Sequence, residues 1–111
     1  MKQGDLWLVD FAPKIGNEID KIRPAVIVNN DELGILKLKM VVPITDPGKS
    51  IKEWHVPLSP SSKNGLTKKC CADCFQVKSI SEERIIRKLG ALSVEDLNEV
   101  KIGLIKVMDL M

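Results

Sequence analysis

Two polar side chains stand at the ends of apolar, strand-like segments, where together they could hold one phosphate. Arg23 comes directly before the apolar residues 24–28, and Thr45 comes directly after the apolar segment 42–44. A guanidinium is a permanently charged fork of donors that can bind two non-bridging phosphate oxygens, and a hydroxyl can donate one hydrogen bond more. If the fold brings Arg23 and Thr45 together, they could stabilise a pentacovalent phosphorane. Taken singly, Arg23 could be a surface arginine packing its stem, and Thr45 a turn residue.

Two further residues could move a proton. Glu18 lies in the polar segment 12–22 and could act as a general base, or form a surface ion pair. A hydroxyl without a histidine base is a weak nucleophile, so Thr45 is better suited to stabilise charge than to attack. Cleavage of RNA needs no enzyme nucleophile, because the substrate's own 2′-OH can attack the phosphate. His55 is the only histidine, and it could act as a base or contact a substrate.

Groups suited to nucleic acid contact follow later in the chain. Trp54 could stack on a base if it is exposed, whereas Trp7 lies inside an apolar run and is expected in the core. Basic residues are concentrated between 63 and 88, although a solvated polar surface would look the same. They are Lys63, Lys68, Lys69, Lys78, Arg84, Arg87 and Lys88. The formal net charge is only +2, which argues against a protein that coats polyanions.

The pattern of apolar residues predicts the elements that must position these groups. Strands are expected at 5–11, at 25–28 after Pro24, at 35–44 with alternation, at 54–58 as an edge strand, at 70–80 and at 85–89. Residues 81–84 predict one helical turn capped by Ser81, and Ser93 is expected to cap a terminal helix. The helix should bury one apolar stripe, formed by Leu97, Val100, Leu104, Val107 or Met108, and Met111. Ile102, Ile105 and Leu110 should widen this stripe.

These elements predict one domain over residues 1–111. The fold class is mainly β (α+β): a small, curved antiparallel sheet of the SH3-like barrel type with a C-terminal helix. No apolar run is long enough to span a bilayer and no signal peptide is visible, so a cytoplasmic location is expected.

Three cysteines lie within five residues. Cys70, Cys71 and Cys74 form an odd, clustered set, which is unsuited to a disulfide framework. Cys71 and Cys74 have the spacing of half a zinc site, with His55 or a symmetry mate as a further donor. In a strand, however, Cys70 and Cys74 would share a face and Cys71 would point away. Buried thiols acting as small apolar groups are therefore the favoured interpretation, and no metal is expected.

A succession of short motifs resembles the MazF/PemK family of toxin endoribonucleases over residues 4–108. The opening motif comprises residues 4–7 and 10–11 with Pro13, Gly16 and Glu18, followed by residues 23–26. Residues 43–45 resemble a second motif; residues 65–66, 76–80, Arg84 and 89–90 resemble a third. Two features depart from the family pattern: the three cysteines, and Phe75, which stands where relatives commonly carry an acidic residue.

The resemblance implies a homodimer that cuts single-stranded RNA at specific sequences without a metal or cofactor. The products would carry a 2′,3′-cyclic phosphate and a 5′-OH. Arg23 and Thr45 match the family's catalytic arginine and threonine, Glu18 matches a loop glutamate with an acid–base or binding role, and Gln76 matches a residue near the RNA groove. Asn17, Trp54, His55 and Lys78 are expected as further RNA contacts.

The implied partner is a cognate antitoxin whose acidic, disordered tail folds across the RNA groove, in a complex that would bind DNA. Two alternatives remain on the same fold. One is an RNA-binding domain without cleavage. The other is a gyrase poison resembling CcdB, which acts through its C-terminal helix; the chain ends without the aromatic tail associated with that activity.

Overall fold

In the computed structural model, which describes residues 1–13, 15–19 and 21–110, the chain forms seven strands and one C-terminal helix. The strands are β1 (Asp5–Asp10), β2 (Ile22–Ile27), β3 (Leu38–Thr45), β4 (His55–Leu58), β5 (Cys70–Asp73), β6 (Lys78–Ser81) and β7 (Ile85–Ala91). The helix α1 is Val94–Met108, and short 3-10 turns occupy Asp31–Leu33, Cys74–Gln76 and Glu82–Arg84. The mainly β fold with a C-terminal helix that the sequence predicts is confirmed.

All strand pairs are antiparallel, and the order across the sheet is β4-β5-β3-β2-β1-β7. The eight-residue strand β3 has two neighbours on one side. Its first half pairs with β6 and its last two residues pair with β5, while β2 lies on its other side. Among the described residues no pairing joins β4 to β7, so the seven-stranded sheet is open. β6 lies off the path of the other six strands, and β4 is at one edge, as Pro57 predicts.

Both faces of the central sheet are covered, and this changes the expected burial of β3. Val42 and Ile44 pack in one apolar cluster beneath α1, and Val41 packs in a second cluster on the opposite face. Leu38 and Met40 lie beyond the helix and are exposed, whereas Lys39 is buried. The expected half-buried strand at 35–44 is therefore wrong in two respects. The strand begins at Leu38, and its first apolar residues face solvent.

Two other strand expectations need correction. Pro24 lies inside β2, opposite Leu8, and does not begin the strand. It is tolerated there because the pairing of β2 with β3 extends only to Ala25. The segment 70–80 is two strands, since the turn at Cys74–Gln76 separates β5 from β6. The side chain of Asp73 caps that turn by accepting a hydrogen bond from the Phe75 N–H at 3.1 Å.

The terminal helix begins where Ser93 predicts. The Ser93 Oγ accepts a hydrogen bond from the Asp96 N–H at 3.1 Å, and Asp109 ends the helix in the left-handed conformation. Val100 is fully buried and Leu97, Leu104 and Val107 are partly buried, which confirms the main stripe. Ile105 is partly buried, as expected of a residue that widens the stripe, whereas Ile102 and Leu110 are exposed and do not widen it. Met111 lies outside the described residues.

The turn predicted at 81–84 is also confirmed, with the Ser81 Oγ accepting from the Glu83 N–H at 3.4 Å. Within the described residues, no helix has the length and apolar character needed to cross a bilayer.

Candidate active site

Arg23 and Thr45 lie next to each other across two central strands. The β2–β3 register pairs Ala25 with Pro43, and continuing it by two residues places Arg23 opposite Thr45. The Arg23 Nη1 donates a hydrogen bond to the Thr45 Oγ1 at 3.3 Å, and both residues are half-buried. Because each backbone belongs to a strand, the guanidinium and the hydroxyl are held by the sheet and not by a loop. The proximity that the sequence suggests is present.

This pair lines a cleft of about 360 Å³, which we call the phosphate cleft. Lys68 and Arg87 line it as further cations, against a single carboxylate from Asp46. Three cations around a partly enclosed space favour an anionic ligand.

The loop that carries Lys68 is fitted tightly against β7. Gly65 has φ +70°, and a Cβ there would overlap the carbonyl of Leu89. A Cβ at Gly90 would overlap the carbonyl of Lys63 in the same way. The buried Asn64 orders this loop, because its Oδ1 accepts from Ser61 and Leu66 and its Nδ2 donates to the Ser59 carbonyl. Glycines at 65 and 90 thus allow the loop to form one wall of the phosphate cleft.

The other predicted site residues lie together in a second, larger cleft of about 710 Å³, which we call the aromatic cleft. Its lining includes all six of them: Asn17, Glu18, Trp54, His55, Gln76 and Lys78. Phe75, Asp73 and Lys52 line it as well. The structure therefore divides the predicted site into Arg23 with Thr45 in one cleft and the remaining residues in the other.

Gln76 connects two walls of the aromatic cleft. Its Oε1 accepts a hydrogen bond from the Ile19 N–H at 2.6 Å, and its Nε2 donates to the Asp73 Oδ2 at 3.2 Å. Ile19 is buried in the core cluster that contains Val9 and Phe11. Gln76 thus fixes the segment that carries Glu18, whose Oε2 lies 4.0 Å from the Lys78 Nζ with both side chains well exposed. A pair this exposed contributes little to stability and can be exchanged for a ligand.

His55 is nearly buried and faces protein groups with both ring nitrogens. Its Nδ1 accepts from the Lys52 N–H at 3.0 Å, and its Nε2 lies 3.9 Å from the Asp73 Oδ2. When the ring is neutral, this arrangement places its proton on Nε2, toward the carboxylate. The ring of Trp54 stands nearly edge-on to His55 at 5.9 Å and is tilted against Phe75 at 5.3 Å.

The two clefts lie close to each other along β5. Cys70, at the start of β5, lines the phosphate cleft, and Asp73, at its end, lines the aromatic cleft. Three residues of strand rise span ~10 Å. The lining residues of the two clefts are therefore separated by about 10 Å at this strand.

The cysteines take the buried, apolar role. All three are free and buried, and Cys70 and Cys74 pack in the cluster beneath α1. Burial, with a smaller contribution from the Asp73 carboxylate, raises the pKa of the Cys71 and Cys74 thiols to about 11. In the described parts of the chain, no three His, Cys, Asp or Glu side chains are close enough to hold a metal ion.

Several charged or aromatic lining residues are not among those that the sequence predicts for the site: Asp46, Lys52, Lys68, Asp73, Phe75 and Arg87. Lys68 and Arg87 were visible only as members of a broad basic region. Asp73 and Lys52 gave no signal of their own, and Phe75 stood out only as a departure from the family pattern. The place of Asp73 and Phe75 in the aromatic cleft depends on the turn that interrupts the segment 70–80.

Comparison with known proteins identifies the family. The model of the PemK-like, MazF-like toxins of type II toxin–antitoxin systems matches residues 2–108. This chain belongs to that family. Endoribonuclease MazF9 of Mycobacterium tuberculosis is 33% identical over 116 residues, which cover 99% of this chain and 98% of the relative. Endoribonuclease MazF of Staphylococcus saprophyticus is 32% identical over 103 residues, covering 90% and 84%.

Solved structures show the same fold. The crystal structure of MazF from Deinococcus radiodurans superposes with a TM-score of 0.82 at 22% identity, covering 98% of this chain and 96% of that one. A mycobacterial endoribonuclease in complex with its cognate antitoxin gives a TM-score of 0.78 at 16% identity, covering 100% and 97%. The gyrase-poison alternative is not favoured by these matches.

Proposed function

We propose that this protein is the endoribonuclease toxin of a type II toxin–antitoxin system and that it cleaves single-stranded RNA at the phosphate cleft. The observation that carries the proposal is the Arg23–Thr45 pair, joined by a 3.3 Å hydrogen bond between two central strands of the family's fold. Endoribonuclease is also the activity after which the relatives from Mycobacterium tuberculosis and Staphylococcus saprophyticus are named.

The proposed reaction is a transesterification within the substrate. The 2′-oxygen attacks the adjacent phosphorus, the P–O5′ bond breaks, and the products are a 2′,3′-cyclic phosphate and a 5′-OH. One proton leaves the 2′-OH and one is delivered to the departing 5′-oxygen. Arg23 binds the non-bridging oxygens as negative charge develops on them, and Thr45 donates a hydrogen bond to the same phosphoryl group. We propose that the reaction proceeds without a metal ion.

Glu18 is our candidate for the acid–base group. Its carboxylate lies in the neighbouring aromatic cleft near Lys78, in the segment anchored by Ile19. To accept the proton of the 2′-OH, the Glu18 carboxylate would have to leave Lys78 and move toward the nucleotide bound at Arg23 and Thr45. Asn17, Trp54, His55, Gln76 and Lys78 are proposed to line the path of the strand, with the amide of Gln76 acting by holding the loop.

Partners follow from the same family membership. We propose that the protein is a homodimer and that a cognate antitoxin with an acidic, disordered tail inhibits it. We place both proteins and the RNA substrate in the cytoplasm. The toxin–antitoxin complex is proposed to bind DNA. The exposed apolar residues near the start of β3 support a protein contact there. They are Leu33, Ile35, Leu36, Leu38 and Met40.

The test compares Arg23→Ala, Arg23→Lys and a charge control, Lys106→Ala, which removes an exposed cation from the last turn of α1. We expect Arg23→Ala to lower the rate of RNA cleavage by roughly 100-fold or more, as loss of an oxyanion-stabilising donor does. Arg23→Lys should recover only part of the rate, since a lysine cannot bind two oxygens as a fork. Lys106→Ala should cleave as the wild type does. Full activity of folded Arg23→Ala would refute the proposal.

A further inference from the structure

Two of the four aromatic residues of this chain lie in contact at the aromatic cleft. Of the two tryptophans and two phenylalanines, Phe11 is buried in a core cluster and Trp7 packs against the same cluster. Trp54 and Phe75 line the cleft with their ring centroids 5.3 Å apart. The Phe75 residue is 63% exposed, so most of its surface faces the solvent of the cleft.

Phe75 is exposed, yet its backbone is firmly held. The Phe75 N–H donates to the Asp73 Oδ1 at 3.1 Å, within the turn Cys74–Gln76. The preceding Cys74 is fully buried beneath α1, and its N–H donates to the Trp54 carbonyl at 3.1 Å. An aromatic ring with a fixed backbone beside a second ring is a stacking surface whose geometry exists before a ligand binds.

Charge separates the two clefts. The phosphate cleft has Arg23, Lys68 and Arg87 against Asp46, so it favours an anion. In the aromatic cleft, Lys52 and Lys78 are balanced by Glu18 and Asp73. A nucleotide has one group suited to each environment, a charged phosphate and a flat base without charge.

We propose that the aromatic cleft binds a nucleobase of the RNA, stacked on Phe75 beside Trp54, near the nucleotide whose phosphate lies at Arg23 and Thr45. Phe75 is then a residue that helps determine where the strand is cut. The choice of RNA as ligand rests on the proposed function. Stacking of a base on an aromatic side chain is sequence-tolerant, so the polar groups around Phe75 would supply any preference among bases.

The test measures binding without cleavage. The probes are 12-nucleotide single-stranded RNAs of mixed sequence with 2′-O-methyl riboses, in which the attacking hydroxyl is blocked. The protein carries Trp7→Phe, so that Trp54 is its only tryptophan and is excited selectively at wavelengths that phenylalanine does not absorb. Phe75→Ala and Phe75→Tyr are compared with Ile102→Ala, which removes an exposed apolar side chain of α1 outside both clefts. Circular dichroism confirms that each variant is folded.

We expect RNA to quench Trp54, and Phe75→Ala to weaken binding about tenfold, while Phe75→Tyr and Ile102→Ala bind as the parent does. Abasic sites are then placed one at a time in the tightest probe. One position should weaken binding about tenfold in the parent and have no further effect in Phe75→Ala, because both changes remove the same contact.

Binding by Phe75→Ala within twofold of the parent would overturn the inference, as would an abasic penalty that is equal in both proteins. The proposed function fails separately: a Phe75-dependent base site without cleavage of unmodified RNA would refute the nuclease and keep the site. Cleavage of RNA that does not depend on Phe75 would refute the base site and keep the nuclease. Absence of RNA binding would refute both.

Discussion

At the residue scale, the proposed function depends on a few side chains whose types can be read from the sequence, whereas their division between two clefts cannot. Arg23 and Thr45 could be predicted as a pair because each stands at the end of an apolar strand, and the structure joins them by a hydrogen bond. That Glu18 and Trp54 would lie in a different cleft could not be predicted. The separation depends on the turn at Cys74–Gln76, whose residues carry no glycine or proline to mark it.

Thr45 offers a direct test of the hydroxyl. Thr45→Val keeps the shape and removes the donor, so we expect cleavage to slow by about tenfold to 100-fold with little change in RNA affinity. Thr45→Ser, which retains a hydroxyl, should stay within a few-fold of the wild type. Single-turnover cleavage rates and binding to uncleavable RNA measure the two quantities. Equal rates for Thr45→Val and the wild type would exclude a role for the hydroxyl.

The buried thiols predict how stability depends on pH. Unfolded cysteines lose their protons near pH 9.0, whereas burial keeps Cys71 and Cys74 protonated to about pH 11. Between these values the folded chain binds more protons than the unfolded one, so the free energy of unfolding falls as pH rises. The contribution of the protonated thiols to the free energy of unfolding is fully present below pH 9. We expect it to fall by on the order of 2 kcal/mol per thiol by pH 11.

Urea unfolding at pH 8, 9.5 and 10.5 checks this. All ionisable groups other than the substituted thiol are common to both proteins, so the comparison is with Cys71→Ala, whose stability should fall less steeply. Parallel curves for the two proteins would contradict the role of the thiol.

At the element scale, the helix and its cap could be predicted because Ser93, the acidic first turn and the apolar stripe all indicate the same start. The division of residues 70–80 into two strands could not, since Cys70–Ile80 has the apolar character of a single strand. What interrupts it is a tertiary contact: Cys74 is held between α1 and β4, which requires the chain to leave the sheet at that point.

Gly103 tests that contact. A Cβ at Gly103 would lie 2.6 Å from the Cys74 Sγ, so Gly103→Ala should destabilise the protein by about 1–3 kcal/mol, although alanine favours helix by about 1 kcal/mol. In a Cys74→Ala background the sulfur is gone, and the same Gly103→Ala change should cost much less. Chemical denaturation of the four proteins measures the coupling. A Gly103→Ala variant more stable than the wild type would show that the helix does not pack as described.

At the scale of the whole molecule, the fold class could be predicted from turn spacing and from one amphipathic helix at the end of a β-rich chain. The burial within β3 could not. Alternation indicates one buried face, but in this sheet both faces are covered at Val41 and Val42 and one is left open at Leu38 and Met40. Which residues of β3 are buried depends on how far α1 extends over the sheet. The sequence of the strand alone carries no information on that extent.

The charge of the whole molecule predicts a weak dependence of RNA binding on salt. With a net charge of +2 and three cations at the phosphate cleft, we expect log Kd to rise with log salt concentration with a slope of about 2. Lys68→Ala and Arg87→Ala should each reduce the slope by about 0.7, and Lys106→Ala should leave it unchanged. Unchanged slopes in both cleft variants would show that these cations do not contact phosphate.

The proposed mechanism requires the phosphate cleft to catalyse attack by the 2′-OH of RNA. The most direct measurement is incubation of wild-type protein in EDTA with a long single-stranded RNA, followed by mapping of the product ends. A second RNA carries 2′-deoxyribose on the 5′ side of the mapped cut. We predict site-specific cuts that leave a 2′,3′-cyclic phosphate and a 5′-OH, and no cut at the deoxyribose. Cleavage of the deoxy-substituted site, or RNA that stays intact with the wild-type protein, would refute this mechanism.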